Sequence, residues 1–231
     1  MNPQTTPAAQ GEGVATLVIV GAGRHGLEVE GYLRDMPQPP HLLGFLDEHR
    51  PPGPFGSSQV LGGFDMVADL MGEHGSIHYL TAVGDNLARR RLVAQAEAAD
   101  LHPWTLRHPS AQVGLECETG GGTLLAPGVI ITRAVTVGAH CILNVGATVS
   151  HDCIIGEFVN LNPGVTVCGD VEIGAGCFIG AGSTIIDKVS IGAGTVVGAG
   201  AVVIDTLPPG VLAVGTPARV VRELHTRPRL V

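Results

Sequence analysis

From residue 113 onward, aliphatic positions return every six residues. Val113, Leu125, Ile131, Val137, Leu143, Val149, Ile155, Leu161, Val167, Ile173, Ile179, Ile185, Ile191 and Val197 form one column, broken only by Thr119. Four positions after each stands a small residue, among them Cys117, Thr123, Cys141, Ala147, Cys153, Cys177, Ser183 and Ala201. A short strand with one large inward residue, followed by a corner, satisfies this pattern. Three such hexads close a triangular coil of 18 residues, so 15 hexads over 113–202 predict five coils. Stacked coils pair as parallel strands about 4.8 Å apart. Each buried large aliphatic then contributes on the order of 1.5–3 kcal/mol.

The first hundred residues follow a different rhythm. Apolar runs (TLVIV, LLGFLD, SIHYLTAV) alternate with helical patterns (RHGLEVEGYLRD, FDMVADLMG, NLARRRLVAQAEAA), and WTL closes the series. Such alternation predicts a small parallel α/β sheet. The segment HRPPGPFGSSQVLGG reads as a loop on its Pro and Gly content. The organisation expected is a disordered lead at 1–13, a Rossmann-like domain at 14–106, a β-helix at 107–206 and a closing segment at 207–231.

Composition narrows the classes. The 231 residues carry a net charge of −8, against a sequence-independent nucleic-acid binder. No apolar run reaches membrane-span length, and the first residues lack a signal-peptide pattern. Five cysteines, an odd number, suit a reducing compartment, so a cytoplasmic protein is expected. Four of the five occupy the small slot of the hexads, a packing role.

Two stretches carry candidate chemistry. GAGRHG (21–26) follows the strand TLVIV, opens a helix, and is followed by Asp47. Backbone amides at such a turn attract a pyrophosphate, which NAD and nucleotide sugars share. A chain of this length with a β-helix in place of a catalytic domain argues against NAD. In VSHDCI, His151 takes an outward corner place beside Asp152. An imidazole steadied by a carboxylate suits general-base work. Three arginines, Arg89 to Arg91, read as a solvated helix face. A zinc carbonic anhydrase of the same repeat needs about three histidine ligands; the repeat supplies only His140 and His151, so no metal is expected.

GAGRHG with LLGFLDE, then AVGDNLARRRL, then LRHPSAQVG leading into the hexads, resembles the nucleotide-sugar acetyltransferases of the bacillosamine, perosamine and sialic-acid type. The resemblance implies a left-handed β-helix and a homotrimer with sites between subunits; the unbroken repeat, with no insertion to form a cleft, points the same way. It implies acetyl-CoA-dependent N-acetylation of a nucleotide-linked amino sugar. It further implies that Gly21, Gly23, His25, Gly26 and Asp47 bind the nucleotide sugar and that His151 and Asp152 form the catalytic pair. Asn160, Gly215, Pro217 and Ala218 are implied at the acetyl-CoA site, and the 18-residue period adds Gly169 and Asp187, stacked on the His151 corner. Asp152 stands where relatives often have Glu, and Asn160 where some have a second histidine. A sugar O-acetyltransferase and a non-catalytic scaffold are the alternatives. The 18-residue coil also predicts that Gly169 stacks on His151 and Asp187 on Gly169.

Overall fold

The computed structural model describes residues 14–224; the expected lead at 1–13 and the end at 225–231, with His225, lie outside the described residues. The α/β region runs β1 (Thr16–Val20), α1 (Arg24–Arg34), β2 (His41–Leu46), β3 (Gly53–Phe55), β4 (Ser58–Gly62), a 3-10 turn at Phe64–Met66, α2 (Val67–His74), β5 (His78–Thr81), α3 (Asn86–Ala98) and β6 (His102–Pro103). Its sheet has the order β3-β4-β2-β1-β5-β6, parallel except for the β3–β4 hairpin. Leu17, Ile19, Phe45 and Leu80 fill one side and Val18, Val20, Leu46 and Tyr79 the other.

The hairpin corrects the loop reading of 49–63. Pro54 lies in the edge strand β3, where a missing N–H costs no ladder bond. The turn is made by Gly56 at φ +62°, with the buried Glu30 carboxylate accepting from the Ser57 amide and hydroxyl. The tripeptide WTL is corrected as well. The α/β sheet ends at Pro103, whereas Leu106 already pairs with Leu124 in the repeat.

Seventeen two-residue strands, β7 (Leu106–Arg107) to β23 (Val202–Val203), start at six-residue intervals. The repeat thus begins before Val113. Its inward position there is the exposed Arg107; among the described residues no strand stacks beneath the first coil, so an aliphatic side chain would face water. Each strand from β7 to β20 pairs with the one 18 residues later, as in Leu125↔Leu143, Val149↔Val167 and Ile155↔Ile173. The result is a three-faced parallel β-helix. The first face runs from β7 through β10 (Leu124–Leu125), β13 (Ile142–Leu143), β16 (Asn160–Leu161), β19 (Phe178–Ile179) and β22 (Val196–Val197). It ends in β24 (Val211–Val214) and the antiparallel β25 (Arg219–Glu223).

The inward column from Leu125 to Val203 is buried, and so is the small slot from Thr123 to Ala201. The slot is selective for a reason beyond size. Thr123 Oγ1, Cys141 Sγ, Cys153 Sγ, Cys177 Sγ and Ser183 Oγ each donate to the carbonyl 15 residues ahead, at 2.9, 3.1, 3.0, 3.2 and 2.9 Å. Each bond ties one corner to the coil above. Burial pushes the Cys141 thiol up to about 11, which suits packing and not nucleophilic chemistry.

The α/β region packs on the outer side of the first face. Leu106, Leu124 and Ile142 join Val29 and Leu33 of α1 in one apolar cluster, and Phe158 joins Tyr79 and Val93 in another. His108, buried, bridges Ser110 Oγ at 2.7 Å and Asp35 Oδ2 at 3.1 Å, holding the entry of the prism to the end of α1.

Candidate active site

The glycine loop is a turn from β1 into α1 in which each glycine has its own steric reason. Gly21 takes φ +110°, and a Cβ there would meet Val83 Cγ2 at 2.7 Å. Gly26 would place a Cβ 2.5 Å from the Gly21 carbonyl and 3.2 Å from Phe45 Cε1, so helix and sheet could not close. Gly23 is different. It is the N-cap of α1, exposed, with no side-chain cap, and its missing Cβ faces open space. Unsatisfied amides at a helix start, with room above them, form an anion site.

Asp47 stands at the end of β2 and braces that loop. Its Oδ2 accepts from the Ala22 amide at 2.8 Å, and its Oδ1 from the His49 and Arg50 amides at 2.8 and 3.1 Å. Arg50 Nε donates to the Ala22 carbonyl and its guanidinium lies over Phe55, 4.4 Å from the ring centre. His25, in the first turn of α1, pairs through Nδ1 with Glu28 at 3.0 Å, and its Nε2 is buried without a partner among the described residues. These residues therefore gather at the carboxyl ends of β1 and β2, in the middle of the α/β sheet.

His151 and Asp152 occupy the corner between β14 (Thr148–Val149) on the second face and β15 (Ile154–Ile155) on the third. Asp152 takes the left-handed conformation, φ 58°, as do Ala134, Asp170 and Lys188 in the coils below and above. Its Oδ2 lies 2.8 Å from His151 Nδ1, and both side chains are exposed. An ionised carboxylate only accepts, so Nδ1 carries the hydrogen and Nε2 keeps a lone pair for a proton.

The expected stacking is present. Asp170 N donates to the His151 carbonyl and Lys188 N to the Gly169 carbonyl. A Cβ on Gly169 would lie 2.6 Å from Cε1 and 2.7 Å from Nε2 of His151, so the imidazole occupies the space a side chain would need. Asp187 is exposed at the same edge, one coil further. Gly215 and Pro217 are exposed beyond the last coil, and Ala218 is buried there, its amide bonded to the Val202 carbonyl at 2.7 Å.

Asn160 lies apart from that edge. It is on the first face, buried beneath the α/β region, with Nδ2 donating to the Gly84 carbonyl at 2.6 Å and Oδ1 unpartnered among the described residues. The arginine run also departs from expectation. Arg89 is fully buried and bonded to prism carbonyls, because α3 lays its first turn against the corner that holds His140 and Phe158. Helical spacing alone could not reveal a second domain behind that face. Among the described residues no three His, Cys, Asp or Glu side chains gather as metal ligands, and no helix is long and apolar enough to cross a membrane.

Residues 16–96 match the PglD N-terminal domain, and 152–187 and 170–205 match the bacterial transferase hexapeptide (six repeats). No curated protein matches the chain. Among solved structures, PerB from Caulobacter crescentus, in complex with CoA and GDP-perosamine, is 34% identical, covering 90% of this chain and 98% of its own at TM-score 0.82. A single-site mutant of GDP-perosamine N-acetyl transferase from Caulobacter crescentus, with the same two ligands, is 32% identical over 91% of this chain and 99% of its own, at TM-score 0.84. The acetyltransferase domain of PglB from Neisseria gonorrhoeae, in complex with acetyl coenzyme A, is 29% identical over 90% and 100%, at TM-score 0.82. With an α/β glycine-loop domain joined to a left-handed hexapeptide β-helix, the chain belongs to the nucleotide-sugar acetyltransferases of the perosamine and PglB type.

Proposed function

We propose that this acetyl-CoA-dependent N-acetyltransferase acetylates a nucleotide-linked amino sugar, such as a 4-amino-4,6-dideoxy sugar, at sites shared between the chains of a homotrimer. One observation carries the reading. The α/β region sits on the first face of the prism, whereas His151 and Asp152 sit on the edge where the second and third faces meet. In a triangular prism that edge is opposite the first face. In this reading a sugar held at the glycine loop meets His151 across an interface.

In this reading residues 14–106 carry the acceptor and 107–206 the reacting groups. The glycine-loop amides, with the open approach over Gly23, hold the diphosphate; His25 and Asp47 line the same end of the sheet. The sugar amine attacks the thioester carbonyl while His151 Nε2 takes its proton. Asp152 holds the ring and steadies the imidazolium. Collapse of the tetrahedral adduct releases the thiol, and no covalent enzyme intermediate is required. The Gly169 amide has no acceptor among the described residues and lies beside the imidazole, suited to the oxyanion. Acetyl-CoA runs along the edge past Asp187 towards Gly215, Pro217 and Ala218, four coil steps or about 19 Å above His151. Asn160, buried on the first face beneath the α/β region, stands apart from this path. The free cysteines, three of them buried, suit a cytoplasmic setting.

Subunit mixing tests this arrangement. At nucleotide-sugar concentrations well below Kd, His151→Asn chains should be inactive for want of the base, and Gly23→Val chains should turn over slowly because the diphosphate is crowded. Refolded together, they should regain activity, while a chain carrying both substitutions should not complement itself. Light scattering should give a trimer throughout. Absence of recovery in mixed trimers would place both half-sites in one chain and reject the shared site.

A further inference from the structure

The segment 82–86, between β5 and α3, has two sides. One lies against the glycine loop: Val83 Cγ2 and the Ala82 carbonyl occupy the space a Gly21 side chain would need, and Ala82 N donates to the Val20 carbonyl at 2.9 Å. The other side is bonded to the prism. Asn160 Nδ2 donates to the Gly84 carbonyl at 2.6 Å, and Asn86 Nδ2 to the Gly176 and Cys177 carbonyls at 2.9 and 3.2 Å. Arg89 spans both sides. Its Nη1 donates to the Val83 carbonyl at 3.0 Å, its Nε to the His140 carbonyl at 3.0 Å, and its Nη2 to the Phe158 carbonyl at 3.1 Å and Asn86 Oδ1 at 2.9 Å.

A buried guanidinium is a costly way to join two surfaces. Taking the ion out of water costs several kcal/mol before its hydrogen bonds offset it. Apolar side chains already glue this interface elsewhere, through Leu124, Ile142 and Phe158. What a planar fork of five donors adds is direction, since it is satisfied at one relative placement of its acceptors. We infer that Arg89, with Asn86 and Asn160, is a positioning set that registers the ligand-carrying end of the α/β region against coils 140–177. The sugar is thereby held at one height along the first face, where the neighbouring chain's His151 meets it. The inference rests on the shared-site reading, because acceptor and base are then carried by separate bodies. A misplacement of about 1 Å between them costs on the order of 100-fold.

Arg89→Lys keeps the charge but cannot reach the carbonyls of both bodies. It should lower kcat by roughly 10- to 100-fold, with the Kd values of acetyl-CoA and of the bare nucleoside diphosphate unchanged. In Arg89→Ala, added guanidinium ion should restore part of the lost kcat, a response that general destabilisation would not give. Asn160→Ala removes one bond and leaves Arg89 in place. It should show the same split at smaller size, and it carries the test where an Arg89 variant does not fold. Unchanged kcat in Asn160→Ala and in any folded Arg89 variant overturns the inference. So does a parallel loss of kcat, both affinities and thermal stability, which marks a structural role only. If the parent chain transfers acetyl to no nucleotide-linked amino sugar, the functional reading itself fails and takes this inference with it.

Discussion

His140 and His151 lie 11 residues apart, each in a corner of the same repeat, each beside or in a left-handed backbone position. His140 is covered. Its ring stacks between Phe158 and Tyr79, with centroids at 5.0 and 6.2 Å, and Glu97 approaches its Nε2 at 3.8 Å. Burial lowers its pKa from the ordinary histidine value. His151 is bare, with Asp152 on one nitrogen and Gly169 of the next coil against the ring. The hexad rule builds both corners alike. What differs is that the α/β region rests on one and leaves the other open, so coverage, not local sequence, separates a packed histidine from an exposed one.

The comparison can be broken most sharply at Gly169. Its backbone has no positive φ, so Gly169→Ala is tolerated by the chain, but the new methyl would drive the imidazole off its seat. We expect kcat to fall about 100-fold, as for misplaced general bases, with the Kd of the nucleotide sugar unchanged. Normal turnover would mean that ring position is not critical there.

The acceptor side gives the next largest effect. Gly23→Val introduces a side chain into open space, so the fold should persist. Nucleotide-sugar affinity should weaken roughly tenfold or more, about 1.4 kcal/mol, while acetyl-CoA binding stays as it was. Calorimetry with each ligand separately reads both halves.

The smallest effect concerns the covered histidine. A folded pKa below the unfolded value of 6.5 means that the unfolded chain binds the proton more readily. Stability is then fully present above pH 6.5 and declines as the pH falls below it towards the depressed folded value. His140→Asn, whose side chain accepts the left-handed backbone, should flatten that decline. Melting curves at pH 7 and pH 5 decide it: an unchanged pH dependence would mean that His140 is not the group titrating.

The prism was the most legible part, because a β-helix writes its geometry locally: each hexad repeats the same inward, small and corner places. The exception, Arg107, came where the stack ends among the described residues and the rule has no coil below to enforce it. The hairpin at 53–62 was obscured because Pro54 is permitted by an edge position that only the assembled sheet defines. The glycine loop was legible as a turn. That Gly26 serves packing, that Gly23 leaves the approach open, and that Asp47 braces the Ala22 amide all depended on neighbours from other strands.

The sequence by itself determined the six-residue period, the inward column, the strand–turn–helix at 16–34 and the stacking of Gly169 on His151. These follow from backbone periodicity and from an invariant 18-residue register. Only the tertiary structure decided that Arg89 is buried and not solvated, that Asn160 lies on the first face, and that glycine loop and His151 occupy opposite sides of the prism. Those outcomes depend on which face the α/β region covers, a long-range choice made by packing, which no local period records.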